Sequence, residues 1–250
     1  MNGVRVTALG TGGPRVLLLP GLGARGAGFR RLAELLAPAA RPILVEYPEG
    51  RRAFAGASAL AEEVLLAVGP VDAVVASSFG GMVAGHLASR GGTRGVAFVG
   101  SFTNLDQLGV RGRLFRLMGP IAEIGRPGPG AAMIAANRFV PLREVADVVP
   151  TTALERRSVL LRAFAIPREP PPQPMSELSV SCIAIHGEQD WLLPVDVLPR
   201  LAATLPPGSP THVIAGAGHV PYFTHPSTLA DILRPWLAEL GERVPRVEAA

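Results

Sequence analysis

The sequence predicts an α/β protein: a mostly parallel sheet flanked by helices, with a helical lid inserted between two strands. Three observations carry that expectation. Short apolar runs stopped by Gly or Pro alternate with segments of helical periodicity. The chain has 250 residues, 48% of them hydrophobic, enough for one such fold with a full core. One stretch, Thr103–Met175, holds no clean buried strand and breaks the alternation.

The elements follow in order. Val4–Leu9 reads as an edge strand. Val16–Leu19 is an apolar run stopped by Pro20-Gly21, and Ile43–Val45 is another stopped by Tyr47-Pro48. Val71–Ala76, Val96–Val99, Cys182–Ile185 and His212–Ala215 complete the set, each expected to be buried on both faces. Helical periodicity appears over Phe29–Leu36, Ser58–Val68, Gly80–Ser89, Val195–Leu205 and Pro226–Leu240. Ser227 or His225 is placed to start the last of these. Residues 1–102 and 176–250 are therefore expected to form the core, and 103–175 the lid. Within the lid, Val110–Met118, Gly130–Phe139 and Ala153–Phe164 read as helices, and the Pro-rich run Pro170–Pro174 as an extended return linker.

Composition excludes several function classes. Every basic residue is Arg and the net charge is +4, but aromatics make up only 5%. Nucleic-acid binding wants a basic stripe interleaved with aromatics, so no nucleic-acid partner is expected. The single cysteine, Cys182, allows no intrachain disulfide and lies in an apolar run, where packing is the expected role. No secretory leader pattern opens the chain, and no apolar run reaches the ~18 residues of a membrane span. A cytoplasmic protein without a membrane partner is the expectation. No zinc-type ligand spacing is present, so neither metal nor organic cofactor is expected.

The segment Val74–Gly81 ends a predicted strand and opens a predicted helix. A nucleophile on so sharp a turn needs small residues two before and two after it, because strand and helix pass close by. Around Ser78 those flanks are Ala76 and Gly80; around Ser77 they are Val75 and Phe79. Ser78 is therefore the candidate nucleophile. The plain alternative is a helix start capped by either serine. Acyl transfer also needs two N–H donors aimed at a developing oxyanion. The backbone amides of Phe79 and of Leu22, in the turn Pro20-Gly21-Leu22-Gly23, are the candidates. Alternatively, those glycines merely end a strand.

Asp190 lies on the loop after the Cys182–Ile185 strand, where a carboxylate can reach an imidazole on the neighbouring loop. Glu188 and Asp196 are rivals, otherwise read as a solvated loop charge and a helix-start charge. Of five histidines, His219 sits in a glycine loop after the last strand and is the best general base. His86 falls on a helix, His186 ends a strand, His212 begins one and His225 precedes a helix start. The chain order Ser78, Asp190, His219 is one in which a catalytic triad occurs on an α/β sheet.

At these residues the chain resembles the α/β-hydrolase superfamily over Val16–Phe102 and Ser179–Leu240. The tail Gly218–Pro226 is similar to the GHxPFxxHP run of pimeloyl-acyl-carrier-protein methyl ester esterases. Those esterases carry HGWG and GWSLGG where this chain has Pro20–Gly23 and Ala76–Gly81. The resemblance implies a serine hydrolase cleaving a carboxylic ester through an acyl-enzyme. Thioester hydrolysis, carbon–carbon hydrolysis, perhydrolysis and a non-catalytic ligand sensor are the alternatives. For an apolar acyl group, Leu105, Leu114, Phe115, Leu117, Met118 and Phe139 are wall candidates. The charge is uneven: 103–175 holds ten Arg and six acidic residues, the remainder 14 of each. That excess is read as a solvated surface or as a docking surface for an acidic partner such as an acyl carrier protein.

Overall fold

A computed structural model describes residues 3–50, 56–116, 136–138 and 141–242. Among them one sheet is built from β1 (Arg5–Ala8), β2 (Arg15–Leu19), β3 (Arg41–Glu46), β4 (Val71–Ser78), β5 (Thr93–Ser101), β6 (Ser181–Gly187) and β7 (Thr211–Ile214). The spatial order is β1-β3-β2-β4-β5-β6-β7. Only the β1–β3 edge is antiparallel; every other pairing is parallel.

The two-residue side-chain period divides the core. Leu17, Leu19, Val74, Ala76, Val96 and Phe98 face one layer; Val16, Leu18, Ala73, Val75, Ala97 and Val99 face the other. Helices α1 (Arg30–Leu36) and α8 (Pro226–Glu242) cover the second layer. The first is covered by α2 (Ala57–Val68), α3 (Gly80–Ser89) and, from later in the chain, Val197–Ala202. The expectation of burial on both faces fails for β7, where Thr211 and Val213 are exposed. It closes the sheet and has a neighbour on one side only.

Between β5 and β6 the described residues contain no strand. Residues 110–116 are helical, followed later by α4 (Leu142–Val148) and α5 (Ala153–Ala165). Helix α4 has no counterpart in the periodicity reading. Helix α5 opens with a capping box: the Thr152 side chain accepts from the Glu155 amide, and Glu155 accepts from the Thr152 amide. The Pro-rich return is held to the core. Pro172 is buried against Gly85 of α3, and the Gln173 amide donates to Ser89 Oγ at 3.2 Å. The remaining helices are α6 (Val197–Ala202), α7 (Pro221–Thr224) and the long α8.

The chain leaves β2 for β3 on one side and returns to place β4 on the other. That reversal opens a crevice at the carboxyl ends of β2 and β4, the usual ligand position in a parallel sheet. Leu19–Leu22 and Ser78–Phe79 are the two loops that meet there. No helix among the described residues is long and apolar enough to cross a membrane.

Candidate active site

Ser78 ends β4 with φ at +52° and, with Asn137, is one of two described non-glycine residues at positive φ. That conformation costs an L-residue roughly 1–2 kcal/mol. The surroundings enforce it. A Cβ on Gly80 would lie 2.7 Å from the Leu19 carbonyl oxygen and 2.8 Å from that of Pro20, so α3 can start only with glycine there. Ala76, the other flank, is fully buried. Strand β5 contributes what sequence reasoning missed. Its pairing passes from Ser77↔Val99 to Ser78↔Ser101, skipping Gly100 in a bulge. Ser101 Oγ then donates to the Ser78 carbonyl at 2.6 Å. Gly100, at φ +50°, leaves room for the next loops: a Cβ would sit 3.3 Å from Asp190 Oδ2 and 3.5 Å from His219 Nδ1. The apolar periodicity of the run carries no trace of the skipped residue.

The Pro20–Gly23 turn lies against Ser78; a Cβ on Gly21 would be 3.1 Å from Ser78 Cβ. Three consecutive carbonyls of this turn are held. Tyr47 Oη donates to Pro20 at 3.1 Å, the Ala24 amide to Gly21 at 3.3 Å, and Arg162 Nη1 to Leu22 at 3.2 Å. In a trans peptide the N–H opposes the C=O, so fixing the Gly21 carbonyl also fixes the direction of the Leu22 amide. Arg162 reaches in from α5. Its Nη2 donates to the Pro48 carbonyl at 2.8 Å and its guanidinium lies 5.4 Å from the Tyr47 ring centroid. It is 5% exposed and forms no ion pair among the described residues. Burial lowers its pKa to about 10, which leaves it charged at neutral pH. Sequence reading had no signal for Arg162, one of several lid arginines. The second donor candidate, Phe79, is buried at the start of α3.

Asp190 and His219 form a buried pair: Asp190 Oδ2 to His219 Nδ1 is 2.7 Å. The other oxygen, Oδ1, accepts from the Leu192 and Leu193 amides at 2.9 and 2.8 Å. These bonds fix the orientation of the carboxylate and aim it at His219. The rivals are committed elsewhere. Glu188 accepts from the Gly216 amide at 2.9 Å, and Asp196 pairs with Arg200 at 2.9 Å on the surface. His186 lies under Asp190, Nε2 being 3.5 Å from Oδ2 and 2.6 Å from the Leu193 carbonyl. A carbonyl only accepts, so Nε2 carries the proton and buried Nδ1 is left without a partner. Burial lowers the His186 pKa, outweighing that carbonyl and Asp190. His86 is buried on α3, and His225 Nδ1 lies 2.8 Å from Thr224 Oγ1. Cys182 is buried, its thiol pushed up to about 12.

Ser78, Phe79, Gly21, Leu22 and His219 line one cavity of about 840 Å3. Most of its wall is apolar, including Leu105 and Phe115 of the expected set. Leu114 does not line it: one residue before Phe115 on a helix, it turns away and is 52% exposed. Leu117, Met118 and Phe139 lie outside the described residues. Tyr222, stacked on Phe29 with centroids 3.9 Å apart, also lines the cavity. Its phenol is pushed up by burial, and the Ser77 hydroxyl beside it acts in the opposite direction. No group of three or more potential metal-ligating side chains occurs among the described residues.

The fold recurs in solved structures of differing activity. An esterase from Thermogutta terrifontis superposes with a TM-score of 0.72 at 20% identity, covering 95% of this chain and 93% of that one. An N-acyl homoserine lactonase bound to N-hexanoyl homoserine lactone gives 0.71 at 18% identity, covering 96% and 95%. A putative ancestral haloalkane dehalogenase gives 0.71 at 20% identity, covering 96% of each. No curated protein sequence matches the chain. The model of the alpha/beta hydrolase family matches residues 16–232. With that match spanning most of its length, and with the sheet and loops arranged as described, the chain belongs to the alpha/beta hydrolase family.

Proposed function

We propose that the protein is a serine hydrolase that cleaves carboxylic esters through an acyl-enzyme. Ser78 is its nucleophile, His219 its general base and Asp190 the residue that orients the base. The observation carrying this reading is the convergence of a strained Ser78 and a buried Asp190–His219 pair at 2.7 Å on one cavity. The esterase among the solved neighbours agrees with it in class.

In this reading Ser78 Oγ attacks the ester carbonyl carbon while His219 Nε2 takes the hydroxyl proton. Asp190 stabilises the imidazolium through Nδ1–H without itself accepting the proton. The carbonyl oxygen becomes an oxyanion, met by the amides of Leu22 and Phe79 and by the positive end of α3. Collapse breaks the bond to the alkoxy group, which leaves as alcohol with the proton from His219. Water, deprotonated by His219, then attacks the acyl-enzyme, and the acid departs as Ser78 regains its proton.

The apolar wall favours an apolar acyl group. A carrier-linked ester is the second reading: the charge excess of 103–175 and the likeness of Gly218–Pro226 to pimeloyl-acyl-carrier-protein methyl ester esterases favour it. The test is turnover of p-nitrophenyl esters of rising chain length beside acyl thioesters. The reading requires ester turnover that Ser78→Ala abolishes. Complete inertness toward every ester would revive the ligand sensor, and turnover of thioesters alone would make the protein a thioesterase.

A further inference from the structure

Three of the cavity's lining residues are arginines: Arg111, Arg156 and Arg157. No Asp or Glu is among its described lining residues. The arginines come from two helical segments, residues 110–116 and α5. Helix α5 also carries Val159, whose Cγ1 would touch a Cβ on Gly23 of the oxyanion turn at 3.7 Å. Arg156 lies one turn before Val159, about 4.5 Å along the axis, and both line the cavity that Ser78 lines. Ala153, Arg156, Arg157 and Leu160, spaced i, i+3, i+4 and i+7, line the same cavity.

The single carboxylate of α5 does not neutralise these cations. Glu155 is taken up by the Thr151 and Thr152 amides, both at 2.9 Å, and by Arg25 at 3.2 Å. Among the described residues neither Arg156 nor Arg157 forms an ion pair. Arg111 donates to the neutral carbonyls of Trp191 and Leu192, both at 3.2 Å, and so keeps its charge uncompensated. Half of the other described arginines are ion-paired, as Arg94 is by Asp72, Arg116 by Asp106 and Arg234 by Asp231. Like-signed charges on the walls of an apolar cleft focus their field into it.

We infer that Arg156 and Arg157, with Arg111 from the other helical segment, form an anion subsite within the cavity. The ester hydrolysed at Ser78 then carries a carboxylate or phosphate at its far end. The inference rests on the proposed esterase reading and narrows its substrate class. An apolar stretch between ester and anion suits the wall between Ser78 and the arginines. The anion belongs to the small substrate itself, not to the surface of a carrier protein.

The experiment compares methyl esters of monocarboxylic acids with half-methyl esters of dicarboxylic acids of equal chain length, and with phosphate-ended analogues. The full chain and its Arg156→Gln, Arg157→Gln, double and Arg113→Gln variants are assayed. Arg113 is an exposed arginine of the same insertion that does not line the cavity. Wild type is expected to favour the anionic ester at least tenfold in kcat/KM, with the advantage shrinking as salt rises. The double variant is expected to lose that advantage while the neutral ester stays within twofold; Arg113→Gln keeps it. The carboxylate and phosphate arms identify which anion is preferred. Binding of the half-ester to Ser78→Ala, read by calorimetry, checks the subsite without turnover. Turnover of neutral esters with no anionic preference would overturn the subsite and leave the esterase reading intact. A preference that survives the double variant, or an arginine effect confined to carrier-linked esters, would also overturn it. Tight anion binding without any turnover would uphold the subsite and remove the esterase reading.

Discussion

The strand ends of the sheet and the 103–175 insertion meet at one cavity but are built by different rules. At the strand ends, close backbone approach leaves almost no freedom. Gly80 fits under two carbonyls, Gly100 under the Asp190–His219 pair, and Ser101 ties the Ser78 peptide. On the insertion side the cavity is met by apolar and cationic side chains on helices, while Arg162, buried on α5 and not part of the cavity lining, is bonded to the Leu22 carbonyl of the Pro20–Gly23 turn. On the proposed esterase reading, the geometry of the reacting atoms comes from the sheet, and choice of substrate from the insertion.

The comparison is sharpest where substitutions separate chemistry from selectivity. Ser78→Ala is expected to reduce ester kcat by about 10⁶, as loss of a triad nucleophile does. Its melting curve should not fall, since the strained hydroxyl side chain is not a packing element. Asp190→Asn is expected to lower kcat about 10³–10⁴-fold. Glu188→Gln and Asp196→Asn serve as controls and should stay near wild type; loss of activity in either with an active Asp190→Asn would move the acid. Arg162→Met crosses the boundary between the regions. It leaves the Leu22 and Pro48 carbonyls without their donor, so chemical denaturation should register a loss of about 1–3 kcal/mol. Steady-state kinetics should show kcat falling about tenfold to a hundredfold, less than removal of an oxyanion donor outright. An unchanged kcat would mean the turn holds its shape without the insertion.

The smallest effect is on the pH dependence of stability. Burial holds His186 and His86 below the ordinary imidazole pKa of 6.5. The unfolded chain therefore binds more protons in that range, and stability rises with pH. Full stability is expected above about pH 6.5, with progressive loss on acidification below it. Denaturation midpoints across that range check this, and His186→Gln should flatten part of the slope.

How much of this could be read from the residues also differs between the regions. The strands were legible because apolar runs stopped by Gly or Pro have few other meanings, and β7 misled because burial of an edge depends on its neighbours. The choice of Ser78 over Ser77 rested on the small flanks Ala76 and Gly80, and Ser78 is the one of the two at positive φ. The bulge at Gly100 was not legible, since skipping one residue leaves no trace in periodicity. In the insertion, Thr152 and Glu155 carried the capping-box spacing, a signal present in the sequence but unread. Phe115 and Leu114 are adjacent, and only the helix phase decides which one faces the cavity. Arg162 was one arginine among ten in that segment, and its burial is a property of the packed structure alone.

Labelling with a fluorophosphonate, followed by mapping of the modified peptide, tests the central claim most directly. The account predicts a single adduct on Ser78 Oγ, lost in Ser78→Ala and retained in Ser77→Ala. An adduct on Ser77 with Ser78 unmodified, or no adduct under conditions where the protein hydrolyses esters, would contradict it.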